Sequence, residues 1–158
     1  MGKLAYQILF LFIIGLTAPV SGQEKSSDKL KCPACGMLVG MFAETNATIV
    51  FKGASEPLVF DGSKCMFKYY LNLKKYNPSR TREDIGSITV KDFYSTQVVD
   101  AMKAYYVIWS DTYGPMGNEP LPFEKDDDAK KFMKEHKGKK IIRFNDVDMK
   151  LINQLDNP

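Results

Sequence analysis

Two thiols and a thioether lie within six residues of this chain, in the segment CPACGM formed by residues 32–37. A further thioether, Met116, stands in the segment GPMG, where proline and glycine indicate a turn with neighbours too small to bury a side chain. Thiolates and thioethers are soft ligands that favour Cu(I). We therefore predict a copper site built on Cys32 and Cys35 and completed by thioethers, with Met37 and Met116 as the candidates.

The overall supply of ligands agrees with copper. The chain has three cysteines and eight methionines but a single histidine. A catalytic zinc site normally takes several histidines or carboxylates, which this composition does not favour. A structural zinc site needs four ligands, and the third cysteine, Cys65, has no fourth cysteine to accompany it.

The spacing of Cys32 and Cys35 is also that of a thiol-disulfide redox pair. Such a pair normally opens a helix after a buried strand. Here it follows a polar segment, and Gly36 stands where the helix should begin. A disulfide between Cys32 and Cys35 would compete with metal binding. We favour the copper carrier and keep an exported thiol-disulfide oxidoreductase using Cys32 and Cys35 as the alternative.

Other residues of the same types have simpler interpretations. Met41 is expected at the start of the hydrophobic core, and Cys65 is expected to fill the core, since free cysteines are among the most buried residues. His136 falls on the apolar face of a predicted helix, where a packed histidine is the usual case. No serine or cysteine nucleophile has a recognisable histidine partner, so the pattern does not favour an enzyme.

The N-terminus has the features of an export signal. Lys3 precedes an apolar core over residues 8–16, and small residues lead to an expected cleavage site near Gly22. We expect residues 1–22 to be a signal peptide, residues 23–31 a flexible lead-in, and the mature protein periplasmic. An uncleaved segment would instead associate the protein with the membrane. The net charge of +3, without a basic stripe, does not favour nucleic-acid binding.

Periodicity predicts an α+β protein in two halves. The first half reads as strands at 47–52 and 57–60, a helix that starts after residue 63, and a strand at 87–93. The second half repeats this order with strands at 104–109 and 120–123, a helix from residue 126, and a strand at 140–144. A terminal helix is expected at 146–155.

A sequence repeat supports the same plan. The segment EPLVF at 56–60 recurs as EPLPF at 119–123, a shift of 63 positions. The same shift places the apolar face of the first helix (Met66, Tyr69, Tyr70 and Leu73) on that of the second (Ala129, Phe132, Met133 and His136). We expect two similar ββαβ units packed together, at residues 32–95 and 96–158.

The chain resembles the NosL family of copper chaperones, the accessory proteins of nitrous oxide reductase. The segments that carry the resemblance are CPACGM (32–37), VFDG (59–62), VKDFY (90–94), VDA (99–101), AYYV (104–107) and GPMG (114–117). The resemblance implies two ββαβ units and a periplasmic Cu(I) site formed by Cys35 and Met116. It implies apo nitrous oxide reductase and its maturation machinery as partners.

Two positions differ from patterns common in that family. Relatives are often lipoproteins, whereas this chain has no cysteine near the expected cleavage site to carry a lipid. Some relatives have a histidine after the Met-Gly pair, where this chain has Asn118. Because the metal must bind a deprotonated thiol, we expect copper affinity to fall as the pH falls.

Overall fold

The computed structural model describes residues 29–156, and the predicted signal peptide lies outside this range. The first half forms a four-stranded antiparallel sheet in the order β2-β1-β3-β4. Its elements are β1 (Ala47–Phe51), β2 (Leu58–Phe60), α1 (Ser63–Leu71), α2 (Leu73–Tyr76), β3 (Ile85–Lys91) and β4 (Val98–Asp100).

The second half forms a three-stranded antiparallel sheet in the order β6-β5-β7. Its elements are β5 (Tyr105–Ile108), β6 (Leu121–Phe123), α3 (Asp126–Glu135), β7 (Lys140–Arg143) and α4 (Met149–Asp156). In both halves the first strand is central, and the second and third strands flank it. A helical segment connects the second strand to the third. The predicted α+β fold of two similar ββαβ units is confirmed.

The repeat in the sequence is also a repeat in the structure. The strands β2 and β6 start 63 positions apart, and so do the helices α1 and α3. The predicted inward faces are largely correct. Met66, Tyr69 and Leu73 are buried in the first half, and Ala129 and Phe132 are buried in the second. Equivalent strand-turn-helix segments therefore supply equivalent core faces.

The two units share one hydrophobic core. Its main cluster combines residues of β1 and α1 with Tyr106 and Ile108 of β5 and with Ile152 and Leu155 of α4. The ring of Phe67 on α1 contacts both Tyr106 and Phe144, with centroids 5.2 and 5.0 Å away. A smaller cluster lies between α3 and the second sheet. The continuous core fixes the N-terminal end of α1 relative to the loops of the second unit.

Some elements differ from the predictions. The sequence pattern does not reveal strand β4, because it has only three residues and lies at a sheet edge, where Val98 is largely exposed. It pairs with the first sheet although it follows residue 95, the expected end of that unit. The prediction that Met41 lies in the core is wrong. Met41 is 73% exposed, because the short 3-10 helix Val39–Phe42 buries only Val39.

Within the described residues, the helices are too short and too polar for any of them to cross a membrane.

Candidate metal site

Four metal-binding side chains meet at the N-terminal end of α1. The thiols of Cys32, Cys35 and Cys65 and a carboxylate oxygen of Asp61 all lie within 4.8 Å of one another. We call these four residues the thiol cluster. They come from three places in the chain: the N-terminal loop, the turn between β2 and α1, and the first turn of α1. The long-range contacts of the fold therefore assemble the cluster.

A tight turn presents the two cysteines of the N-terminal loop differently. The Cys32 N–H donates to the Met37 carbonyl at 2.8 Å, and the Gly36 N–H donates to the Cys32 carbonyl at 2.8 Å. Gly36 has a φ of +83°, a conformation that costs glycine little. This turn leaves Cys32 buried, with 2% exposure, while Cys35 is exposed. One thiol thus faces the core and the other faces solvent.

Asp61 is a fully buried carboxylate that joins the loop to the helix. Its Oδ2 accepts from the Cys35 thiol at 3.2 Å, and its Oδ1 accepts from the Gly62 N–H at 3.1 Å. Its backbone carbonyl accepts from Thr45 Oγ1 at 2.7 Å. The helix that begins beyond it adds a favourable dipole for negative charge. Asp61 thereby holds Cys35 against the start of α1.

The three thiols differ in acidity. A hydrogen bond from the Cys65 thiol lowers the pKa of Cys32 to about 6, outweighing burial, and N–H groups of nearby residues assist. The bond to Cys32 and burial raise the pKa of Cys65. Desolvation raises the pKa of Cys35 to about 11, and its bond to Asp61 contributes. The cluster therefore combines one thiol of lowered pKa with two thiols of raised pKa, whose protons a soft cation would replace.

The predicted Pro-Met-Gly turn also docks on the start of α1. Gly114 and Gly117 exchange two backbone hydrogen bonds, at 2.8 and 3.1 Å, and Gly117 has a φ of +78°. The Met116 carbonyl accepts from Lys64 Nζ at 2.9 Å, and the Met116 N–H donates to Glu119 Oε1 at 3.0 Å. Met116 is half-buried and packs against the core cluster that contains Cys32 and Cys65.

The predicted ligands fall into two groups. Cys32 and Cys35 belong to the thiol cluster, while Met116 is anchored through its backbone to the residue that precedes Cys65. Met37 is half-buried and contributes backbone groups, since its carbonyl accepts from Cys32 and its N–H points to the Cys35 sulfur. The thioethers of Met37 and Met116 remain predicted ligands.

Two members of the thiol cluster, Asp61 and Cys65, were not among the predicted ligands. The pattern places Asp61 only in a helix-start turn, and it places Cys65 only in the core. Cys65 is indeed fully buried, yet its sulfur faces the other two thiols. Asp61 also supplies the fourth donor that the chain's cysteines do not. A usable signal existed: Asp61 and Cys65 are four residues apart across a predicted helix start, which places them close together.

His136 has partners of its own. Its ring stacks on Phe132 with centroids 4.3 Å apart, and its Nδ1 lies 3.1 Å from both Asp111 Oδ1 and Thr112 Oγ1. It directly follows the last residue of α3, and its side chain is 40% exposed. The expected packed histidine is thus stacked on the helix but open to solvent.

The fold and the cluster together define a small α+β protein of two ββαβ units with a thiol-rich candidate metal site. The family model named NosL matches residues 23–152, most of the chain. The chain belongs to the NosL family.

Two solved structures are similar to this chain. The crystal structure of the copper chaperone NosL from Shewanella denitrificans is 21% identical, with a TM-score of 0.65, and the match covers 78% of this chain and 92% of that one. This likeness shows the fold. The solution NMR structure of the apo-NosL protein from Achromobacter cycloclastes is 25% identical, covers 67% and 87% of the two chains, and has a TM-score of 0.47. A comparison with curated proteins finds no match.

Proposed function

We propose that this protein is an exported, non-enzymatic carrier of Cu(I) whose cargo site is the thiol cluster together with the thioether of Met116. One observation carries the proposal: the chain's three cysteines converge within 4.8 Å, and one of them is exposed. Thiolate ligands select Cu(I) over harder cations. Membership in the NosL family supports the same cargo, since the similar protein from Shewanella denitrificans is a copper chaperone.

The cluster is suited to release by ligand exchange. Cys35 is the exposed thiol, so a ligand from an acceptor protein would approach the metal from that side. Cys32 is buried and has a lowered pKa, so we expect it to hold the copper until the acceptor's ligand has bound. A carrier needs this combination, since tight binding alone would prevent transfer. The acceptor we propose is apo nitrous oxide reductase in the periplasm, as the family resemblance implies.

The geometry does not favour the oxidoreductase alternative. A redox pair attacks with an accessible thiolate of lowered pKa. Here the thiol of lowered pKa, Cys32, is 2% exposed. The accessible thiol, Cys35, has its pKa raised to about 11, so it is protonated at neutral pH. The two properties that attack requires lie on different cysteines.

The test is a Cu(I) titration of the reduced mature protein against a chromophoric competitor. Cys35→Ser and Met116→Leu are compared with Met102→Leu, which replaces a surface methionine outside the thiol cluster. We expect one tight copper per chain, weakened by the first two changes and unaffected by the third. Absence of tight binding by the reduced wild type would refute the carrier, and insulin reduction lost with Cys32→Ser would establish the alternative.

A zinc titration with the same variants tests the choice of metal, because three thiols and a carboxylate also form a set that Zn²⁺ accepts. We expect Cu(I) to displace zinc. Zinc retained in the presence of excess Cu(I) would contradict a copper cargo.

Location and acceptor are tested separately. Cell fractionation with N-terminal sequencing should find the mature chain in the periplasm starting near Gln23. Copper-loaded protein mixed with apo nitrous oxide reductase should transfer its copper to the reductase faster than the same amount of chelated copper does, as copper analysis of the separated proteins would measure. Equal rates would contradict delivery by this protein.

A further inference from the structure

We propose that Lys64 and Glu119 are positioning residues that hold the backbone of Met116 at the start of α1, so that its thioether meets the thiol cluster. The inference rests on the proposed function, because it assigns a role to residues around a proposed copper ligand. Lys64 and Glu119 are two buried ionisable side chains, and they bind the two ends of a single residue in the Pro-Met-Gly turn.

Lys64 holds the carbonyl side of Met116. Its side chain is fully buried, and its Nζ donates to the Met116 carbonyl at 2.9 Å. The same Nζ forms an ion pair with Asp156 Oδ1 at 2.6 Å, at the C-terminal end of α4. An ammonium group out of water needs such partners, since burying an unpaired charge is costly. The turn carbonyl is thus one of the groups that Lys64 is built to bind.

Glu119 holds the amide side of Met116. It is 3% exposed, and its Oε1 accepts from the Met116 N–H at 3.0 Å. Its Oε2 accepts from Ser63 Oγ at 3.3 Å and from the Lys64 N–H at 3.4 Å, both in the first turn of α1. One carboxylate therefore ties the Met116 amide to the start of the helix that bears Cys65.

The backbone around Glu119 is shaped to admit this carboxylate. A Cβ on Gly62 would clash with Glu119 Oε2, and a Cβ on Gly114 would lie 2.7 Å from Glu119 Cδ. A side chain at either position would displace the carboxylate. One of these glycines precedes α1 and the other opens the Pro-Met-Gly turn, so both segments that meet at the site leave room for the same group.

Positioning explains these charges better than stability does. Buried ion pairs stabilise folds weakly, because desolvation offsets much of their attraction. Two buried side chains that bind the backbone of one residue do, however, restrict the position of that residue. Residues that orient metal ligands typically change metal affinity by about 10–100-fold when they are removed.

The experiment is a double-mutant cycle on Cu(I) affinity, with the free energy of unfolding measured on every variant. Lys64→Met removes the charge and keeps most of the side-chain length. We expect it to weaken Cu(I) binding by about tenfold or more in the wild-type background and to add almost nothing in a Met116→Leu background. Glu119→Gln, which retains the Oε1 acceptor, should show a smaller loss with the same dependence on Met116.

Lys68→Met is the matched control. Lys68 pairs with the other oxygen of Asp156, at 2.9 Å, but makes none of the bonds to the turn. It should leave copper affinity unchanged. If the Lys64→Met variant does not fold, the double-mutant cycle is measured with Glu119→Gln instead.

The outcomes separate the two proposals. An equal copper loss from Lys64→Met with and without Met116 would overturn positioning and leave the carrier intact. A Met116→Leu variant that binds copper as tightly as wild type would show that Met116 is not a ligand, and it would refute the positioning role as well.

Backbone amide relaxation of Met116, measured by NMR in the apo protein, adds a readout independent of copper. We expect the Met116 amide to become mobile in the Lys64 variant, and an unchanged amide would count against positioning.

Discussion

At the scale of single residues, the three cysteines show that exposure and acidity need not coincide. Cys32 has the lowered pKa but is enclosed by backbone N–H groups and Cys65. Cys35 is open to solvent but keeps its proton through desolvation and its bond to Asp61. A spacing of two residues between cysteines cannot reveal this difference, because it arises from Asp61 and Cys65.

Alkylation of the thiols should report the difference. In the native, reduced protein we expect iodoacetamide to modify Cys35 slowly at neutral pH. Its rate should rise about tenfold per pH unit towards a pKa of about 11, because only the thiolate reacts. Cys32 should stay unmodified although its pKa is about 6, since it is buried. Mass spectrometry of timed samples gives both rates. In denaturant all three cysteines should react alike, and rapid native labelling of Cys32 would contradict this assignment.

The role of Cys65 as a ligand is a second prediction at this scale. Cys65→Ser should lower Cu(I) affinity by at least the roughly tenfold that loss of an outer partner causes. Competition with a chromophoric chelator measures it. Met66→Leu, a change of similar volume at the neighbouring buried position, is the control and should leave affinity unchanged. If Cys65→Ser bound copper normally while Cys35→Ser did not, Cys65 would be a core residue and not a copper ligand.

At the scale of elements, two glycine turns present the predicted sulfur ligands. Gly36 and Gly117 both have positive φ, +83° and +78°, and neither has a neighbour within 4 Å of an added Cβ. Space is therefore not what requires glycine at these positions. The requirement is the left-handed backbone, which costs other residues about 1–2 kcal/mol.

Gly117→Ala tests the turn that carries Met116. We expect the free energy of unfolding to fall by about 1 kcal/mol, because alanine is strained at positive φ. Copper affinity should fall as well, since relief of the strain moves the turn. Urea denaturation and Cu(I) competition measure the two effects. Gly86→Ala in β3 is the control: its φ is not positive and its nearest added contact is 3.4 Å. Equal effects at both glycines would argue against strain.

At the scale of the whole molecule, the two units are joined where β3 ends. The Phe93 N–H donates to the Pro122 carbonyl at 2.8 Å, and Asp92 Oδ2 accepts from the Glu124 N–H at 2.7 Å. Asp92 is buried, and its Oδ1 accepts from Tyr94 and Ser95. This carboxylate holds the first unit against β6, the strand that follows the Pro-Met-Gly turn.

Asp92→Asn should loosen that junction. Burial acts to raise the pKa of Asp92, but hydrogen bonds from Ser95, Glu124 and Tyr94 together hold it below the ordinary value. A carboxylate with a lowered folded-state pKa contributes stability above its unfolded pKa and loses it as pH falls through the folded value. We expect Asp92→Asn to cost about 1–3 kcal/mol at neutral pH and to reduce the loss of stability in acid.

Urea denaturation at a series of pH values measures both expectations for Asp92. Asp100→Asn, at an exposed aspartate that also accepts a backbone N–H, is the control and should change little. If Asp92→Asn lost as much unfolding free energy in acid as the wild type does, the role of this carboxylate would be contradicted.

The elements were largely predictable because they depend on local chemistry. The alternating and helical patterns of apolar residues located six of the seven strands, and the 63-residue shift predicted that α1 and α3 bury equivalent faces. Strand β4 was not predicted, because three residues at an exposed sheet edge show almost no alternation of apolar and polar residues. Met41 was misplaced because the hydrophobicity of a single side chain does not show which way a short 3-10 helix turns.

The sequence alone was enough to predict the kind of protein: two ββαβ units, soft candidate ligands in two glycine turns, and the family. These follow from residue types and from spacings within a few turns of chain. Only the tertiary structure decided which groups meet. It brought Asp61 and Cys65 to the two loop cysteines, and it set Lys64 and Glu119 on Met116. The physical reason is that the contacts of Cys35 with Asp61 and of Lys64 with Met116 join residues 26 and 52 positions apart, through a core that both units build together.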